Sequence, residues 1–451
     1  MATSYKTPGV YVEEIALFPP SVAQVETAIP AFIGYTEKDE TSQTPTRVNT
    51  LLEYETLFGK STPQTVALSI TDAAVDPIAY SFTTAPVLKS YLYASIQLFF
   101  RNGGGSCYIV SAGADTATPA KADLEPALDK LEAFDEPTII VIPDAVQLSD
   151  DDCYGLMNRA LIQCKNLQDR FTIIDVKKQT NLTTAISTFR DKASNNLEET
   201  KYGAAYFPYL KTSLSFNFSS EAQVTLTGLP TDPTTLDAIK ATDTAIYNKI
   251  KTALNAVAIE LPPSGAIAGV YAAVDKSRGV WKAPANVSLT SVIGPLISIT
   301  NVEQDGMNVD PGSGKSVNAI RFFTGKGTLV WGSRTLAGND NEWKYVPVRR
   351  LFVTVEESVK KATARFVFEP NDANTWTKVR AMIENYLTVL WRDGALAGAK
   401  PEHAFYVKVG LGQTMSAQDI LEGKMIVEIG MAAVRPAEFI ILRFSHKMQE
   451  S

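Results

Sequence analysis

Residues 85–113 read APVLKSYLYASIQLFFRNGGGSCYIVSAG, and the fold class turns on this stretch. Leu88, Leu92, Ser95, Ile96 and Phe99 recur at helical spacing, and Gly103 stands where a left-handed glycine would end the helix. CYIVSA then reads as a compact apolar strand. The glycine run after Asn102 passes from helix into strand, so it is a helix stop and a tight turn.

The same alternation continues toward the C-terminus. A helix over roughly 121–134 carries Leu124, Leu128 and Leu131, and the strand TIIVIPD (138–144) follows. A helix over 150–165 opens on aspartates, as the helix dipole prefers. The strand FTIIDV, a helix near 182–192 and the strand GAAYFPYL extend the series. Strands apolar throughout, separated by amphipathic helices, predict a sheet covered on both faces in a three-layer α/β domain. Residues 211–245, rich in Ser and Thr, read as a loop or edge hairpin. PPSGAIAGVYAAVDKSRG reads as a helix that starts after Pro263 and packs closely through its alanines and glycines. Strands are expected at VNAIRFF, TLVWGSRTL and RRLFVTVEE. A long helix follows Asn371 and Asp372, with Trp376, Val379, Ile383, Tyr386, Leu387 and Leu390 on one side and Gly394 as its stop. FYVKVG, KMIVEIGMAAV and AEFIILRFSH complete the strands. The expected fold class is α/β plus α+β, with a strand-rich C-terminal domain.

The chain has 451 residues, enough for two or three domains, and its 45% apolar and 20% charged residues are those of a folded globular protein. A net charge of −7 argues against a nucleic-acid binder. The basic pairs Lys177-Lys178, Arg349-Arg350 and Lys360-Lys361 are isolated and read as solvated faces or strand ends. Cys107, Cys153 and Cys164 lie in apolar or helical surroundings, one of them necessarily unpaired, and are expected as buried free thiols of a protein made in a reducing cytoplasm. The first fifteen residues carry two glutamates and no apolar core, so no secretory leader is expected. No run approaches the eighteen apolar residues of a membrane span.

Motifs for chemistry fail on context. Gly314-Lys315-Ser316 matches the end of a phosphate loop, but Val309 holds the first glycine position and the segment leads into a strand. His403 and His446 are the two histidines, with no paired spacing for a metal and no nucleophile elbow for a triad. Asp144 follows a strand, where α/β enzymes place functional groups, but a loop aspartate capping the next helix is the better reading. No catalytic residue, metal or cofactor is expected.

The two ends of the chain are unusual. Residues 1–30 are extended and punctuated by Pro8, Pro19, Pro20 and Pro30. Within them TPGVYVEEI is a lone strand with no local partner, SVAQVETAI a second short strand and AFIGYT a third. At the other end AEFIILRFS is apolar on both faces, with Phe439 and Ile441 pointing one way and Ile440, Leu442 and Phe444 the other. Such a strand either pairs with MIVEIGMAAV in its own domain or is donated to another sheet. The pattern alone leaves both open, while a lone strand at each end suggests linkage in two directions.

TPGVYVEEI, AFIGYT, LFFRNGGGSCYIV, SGAIAGVYAAVDKSRGVWKAPAN, NAIRFFTGKGTLVWGSRTL and KYVPVRRLFVTVEESV together resemble the contractile tail sheath proteins of phages and phage tail-like injection systems. The resemblance is collinear over nearly the whole chain and weakest at 205–260. It implies a structural subunit that stacks as six-fold rings around an inner tube, with baseplate and terminal cap proteins as further partners. It implies neither nucleic-acid binding nor membrane insertion, and assembly in a bacterial cytoplasm. The implied division is a linking arm at 1–28, an inner domain at 29–103 and 336–435, an outer α/β domain at 104–335, and a second arm at 436–451. The donated strands would be Val10, Tyr11, Val12 and Glu13, and Phe439, Ile440, Ile441, Leu442 and Phe444. The receiving edge would lie near Val407 or Ile426, Val427 and Ile429. The helix at 372–393, with Lys378, Arg380 and Arg392, would touch the tube. Competing readings are an α/β enzyme with an unusual site and a static capsid or tube protein.

Overall fold

A computed structural model describes residues 21–38, 43–217, 221–229 and 234–443. Its centre is a nine-stranded sheet. The order is Val287–Ser288, Gly327–Val330, Val317–Phe323, Gly203–Phe207, Phe171–Asp175, Ile139–Val141, Pro30–Thr36, Cys107–Ala114, Thr46–Val48. The strands from Val317–Phe323 to Cys107–Ala114 run parallel, and antiparallel strands close the two ends. Alternate residues of each strand enter opposite cores. Ile33, Val110, Ile140 and Ile174 join the helices Lys121–Lys130, Asp150–Leu167 and Leu182–Lys192. Phe32, Ile109, Val141 and Ile173 join Leu51–Phe58, Leu92–Arg101 and Ser264–Arg278. Two covered faces explain why the strands carry no polar alternation. Leu92–Arg101 and Ser264–Arg278 approach through glycine: a Cβ at Gly265 would meet the Ser95 carbonyl at 2.5 Å, and one at Gly269 the Phe99 carbonyl at 2.6 Å. Gly103 adopts φ +95°, the left-handed stop that the sequence demands.

Residues 211–245, expected as a loop or edge hairpin, contain such a hairpin: Val224–Thr227 pairs antiparallel with Thr234–Thr235 at a sheet edge, though in a separate sheet from the central one. Val224–Thr227 and Thr234–Thr235 join Val66–Asp72 and Ala79–Thr84 in a second, four-stranded sheet, packed on the helices Leu236–Thr242 and Thr244–Asn255. RRLFVTVEE is not a strand but part of the helix Val346–Thr363. Arg349 and Arg350 within it are each 3% exposed, not solvated as the pair suggested. Arg350 makes a two-pronged pair with Asp275 at 3.0 and 2.6 Å. Over 21–29 the structure has no regular strand, while AFIGYT lies in the central strand Pro30–Thr36.

The described residues fall into two compact units, 26–356 with 435–443, and 21–25 with 357–434. The expected division at 103/104 is crossed by the sheet, since Pro30–Thr36 pairs with Cys107–Ala114 and Ile139–Val141. Residues 336–356 likewise sit on the α/β side, where Leu336 and Val353 enter one core and Val346 the other. The C-terminal unit, expected to be strand-rich, contains among the described residues one two-stranded sheet, Phe405–Val409 with Val427–Met431. Its largest element is the helix Ala373–Arg392, capped by Asp372 through the amides of Asn374 and Thr375, both at 3.0 Å, and followed by Gly394 at φ +85°.

Candidate assembly interface

Lys315 and Asp144, two groups the sequence offered for chemistry, are engaged in holding the fold. The Lys315 ammonium, beside the failed phosphate loop, donates to the Arg190 and Ala193 carbonyls at 2.5 and 2.6 Å, satisfying the end of the Leu182–Lys192 helix. Asp144 is fully buried and accepts from the amides of Tyr35 (3.0 Å) and Tyr91 (2.5 Å) and from the Ser90 hydroxyl (2.8 Å). It thereby caps the start of Leu92–Arg101, a helix earlier in the chain rather than the next one. Burial pushes its carboxyl up to about 6 against these hydrogen bonds. The three cysteines are buried free thiols, and burial raises Cys153 to about 12. A thiol held so high is a poor nucleophile.

Asp175 ends its strand by accepting from the Ser264 amide at 2.8 Å, at the start of the Ser264–Arg278 helix, and burial pushes it from 3.8 to about 7. The folded state therefore binds this proton more tightly than the unfolded chain does. The associated stability is complete below pH 4 and is lost as pH rises through 7. Asp175→Asn is expected to abolish this loss, so its stability relative to wild type should rise by about 4 kcal/mol between pH 4 and 8. Urea unfolding at the two pH values checks it, and an unchanged difference would refute it.

Two places among the described residues bear on the expected strand exchange. The first is the C-terminal segment of the α/β unit. Glu438 accepts from Arg334 Nε and Nη2 at 2.9 and 2.6 Å, from Asn308 Nδ2 at 2.7 Å and from the Tyr345 hydroxyl at 3.2 Å. Directly after it, Phe439, Ile440, Ile441 and Leu442 are 69, 79, 78 and 73% exposed. None of the four lies in a strand of its own chain, so the first fate considered for AEFIILRFS is not taken: Val427–Met431 pairs instead with Phe405–Val409. Val10, Tyr11, Val12, Glu13 and Phe444 lie outside the described residues.

The second place is that sheet itself, in the C-terminal unit. Val407 faces Ile429 and Val409 faces Val427 across the ladder, so the two candidate receiving positions are opposite sides of one hairpin. Val407 and Val409 are buried, and the Phe405–Val409 strand packs on the Ala373–Arg392 helix. Tyr406 donates to Glu428 at 2.7 Å on the other face. The chain beyond Val427–Met431 is partly covered, because Ala397 donates to Ala432 and Val434 to Ala395. Among the described residues, no strand pairs with the outer edge of Phe405–Val409. Ile426, 41% exposed, precedes the second strand.

On Ala373–Arg392 the buried stripe is Val379, Met382, Ile383, Tyr386, Leu387 and Leu390. Lys378, Arg380 and Arg392 are exposed. At about 100° per residue, Lys378 and Arg392 lie about 40° apart around the axis, whereas Arg380 is turned away by more than 100°. Arg380 pairs with Glu384 at 2.7 Å on its own helix. The three cations thus do not form one patch. Glu438 and Arg334 were missed by sequence reasoning. An acid directly before an apolar run was the available signal, but its partner lies 104 residues away.

A family model for the phage tail sheath C-terminal domain matches residues 338–447. The tail sheath protein of Burkholderia phage BcepMu is 30% identical over 159 residues, 33% of this chain and 32% of that protein. The chain thus aligns with about a third of that curated relative's length. Two solved structures are matched almost end to end. The sheath complex of the extracellular contractile injection system PVC, in its contracted state, is 31% identical, with a TM-score of 0.66 and 99% of each chain covered. The helical sheath of the anti-feeding prophage, also contracted, is 33% identical at TM-score 0.66, covering 98% of this chain and all of that one.

Proposed function

The chain belongs to the contractile tail sheath proteins, and from that premise we propose that it polymerises as six-fold rings around an inner tube and contracts to drive the tube through a target envelope. The observation that carries this reading is the exposed run Phe439–Leu442. Four consecutive large apolar side chains in water are covered in the working state of a protein. A neighbouring copy supplies the cover: the segment is donated as a strand to that copy's Phe405–Val409 and Val427–Met431 sheet, at the edge beside Val407 or the edge beside Ile426, Val427 and Ile429. Val10–Glu13 has the same role on the N-terminal side, on sequence grounds alone. Main-chain hydrogen bonds made this way persist while subunit bodies turn, so the lattice stays connected through contraction.

The C-terminal stretch 357–434 faces the tube. Baseplate and terminal cap proteins close the ends, and the sheath assembles in a bacterial cytoplasm as part of a phage tail or an extracellular tail-like particle. The energy of contraction comes from contacts between copies, with no cofactor. The engagement of Lys315 with helix carbonyls agrees with a chain that hydrolyses no nucleotide.

Electron microscopy of the native particle tests the function: long narrow and short wide rods are expected, and compact monomers alone would overturn it. For the tube-facing helix, Lys378→Glu with Arg392→Glu is expected to weaken tube–sheath association at least tenfold. Arg380→Glu, already paired along the helix, should have the smaller effect. Equal co-sedimentation of tube with all variants would exclude this face.

A further inference from the structure

The exposed run starts one residue after the most heavily bonded carboxylate in its neighbourhood. Glu438 receives four donors from three residues of the α/β unit, and its partner Arg334 is only 5% exposed. Arg334 is held in turn by the Asn308 and Gly338 carbonyls at 3.2 and 3.3 Å. Two-pronged arginine–carboxylate bonds fix direction as well as position. The change from this clasp to open solvent takes one residue, from a Glu438 side chain 20% exposed to Phe439 at 69%.

We infer that Glu438 is a positioning residue that sets the starting point, and so the register, of the strand donated to a neighbouring copy; this rests on the strand-donation reading above. The physical case is a matter of reach. Upstream, the chain is last held at Val434, whose amide donates to Ala395 at 3.1 Å. Freed from the clasp, the five-residue stretch to Phe439 would let the strand's start wander over about 12 Å. That exceeds two strand spacings of roughly 4.8 Å and several residues of slip. A slip of one residue exchanges Phe439 and Ile441 with Ile440 and Leu442 across the receiving sheet. Because this run is apolar on both faces, its own pattern specifies register weakly, and an external anchor does so instead. The N-terminal side has a counterpart: the Thr27 carbonyl accepts from Arg350 at 2.8 Å and from the Thr138 hydroxyl at 3.0 Å.

The test compares four full-length proteins in a polymerisation assay read by sedimentation and microscopy: wild type, removal of 439–451, Arg334→Met with Glu438→Met, and two glycines inserted between Glu438 and Phe439. The double variant leaves no buried charge but strands the Asn308 and Gly338 carbonyls and the Tyr345 hydroxyl, so some loss of thermal stability is expected from it. The insertion keeps the clasp while loosening the strand beyond it, and its thermal unfolding is expected to be unchanged. Both are expected to raise the subunit concentration needed for polymer at least tenfold and to yield irregular rods. Normal rods from both, while the truncation makes none, would overturn the anchoring role and leave strand donation standing. Normal rods from the truncation would overturn both.

Discussion

Ile440→Lys together with Leu442→Lys is expected to abolish polymerisation while leaving the isolated chain as stable as wild type. The two side chains are 79 and 73% exposed, so within the chain almost no buried surface is lost. In a donated strand both point to the same face, where covering each is worth about 2 kcal/mol. Losing about 4 kcal/mol corresponds to roughly a thousandfold in association, before the cost of burying two ammonium groups. Sedimentation and thermal unfolding read the two halves of this expectation separately. Polymer formed at wild-type concentration would remove the run from the interface.

The sequence was most legible where local rules and burial agree. Asp372 and Gly394 bracket a helix whose apolar side is one stripe, so both its ends and its buried face could be read directly. Ser264–Arg278 was readable from Pro263 and from small residues that have no role unless another helix comes close. The Val346–Thr363 helix was not readable. It is buried on nearly all sides over 345–355, so no polar face marks its period, and Val353-Thr354-Val355 imitates a strand. Pro347 was the one local hint, since proline is tolerated in a helix's first turn. The second sheet was hidden for a different reason. Val224 pairs with Val66, and no local pattern predicts a parallel partner at that separation. For the interface, the apolar run was visible in the sequence, but that Val427–Met431 is already paired with Phe405–Val409, leaving the run without a strand partner among the described residues, is visible only in the fold.

Arg350→Met is expected to destabilise the α/β unit by about 3–5 kcal/mol. Arg350 and Asp275 have side chains 3 and 4% exposed, and their pair is the kind whose single removal leaves a buried charge without compensation. The guanidinium also lies 4.6 Å from the centre of the Tyr271 ring and donates to the Thr27 carbonyl, so the loss spreads to the root of the N-terminal segment. Urea unfolding should show a lower midpoint with an unchanged slope, the mark of lost stability rather than of a changed unfolded state. Arg350→Met with Asp275→Leu separates the causes. If the cost is the stranded carboxylate, the double variant recovers most of it, because an apolar pair of similar volume is tolerated where one charge is not. If instead the Thr27 bond dominates, the double variant stays as unstable as the single one, and protection of residues 21–29 from hydrogen exchange falls in both. A single-variant cost below about 1 kcal/mol would mean that water reaches Asp275 once the arginine is gone.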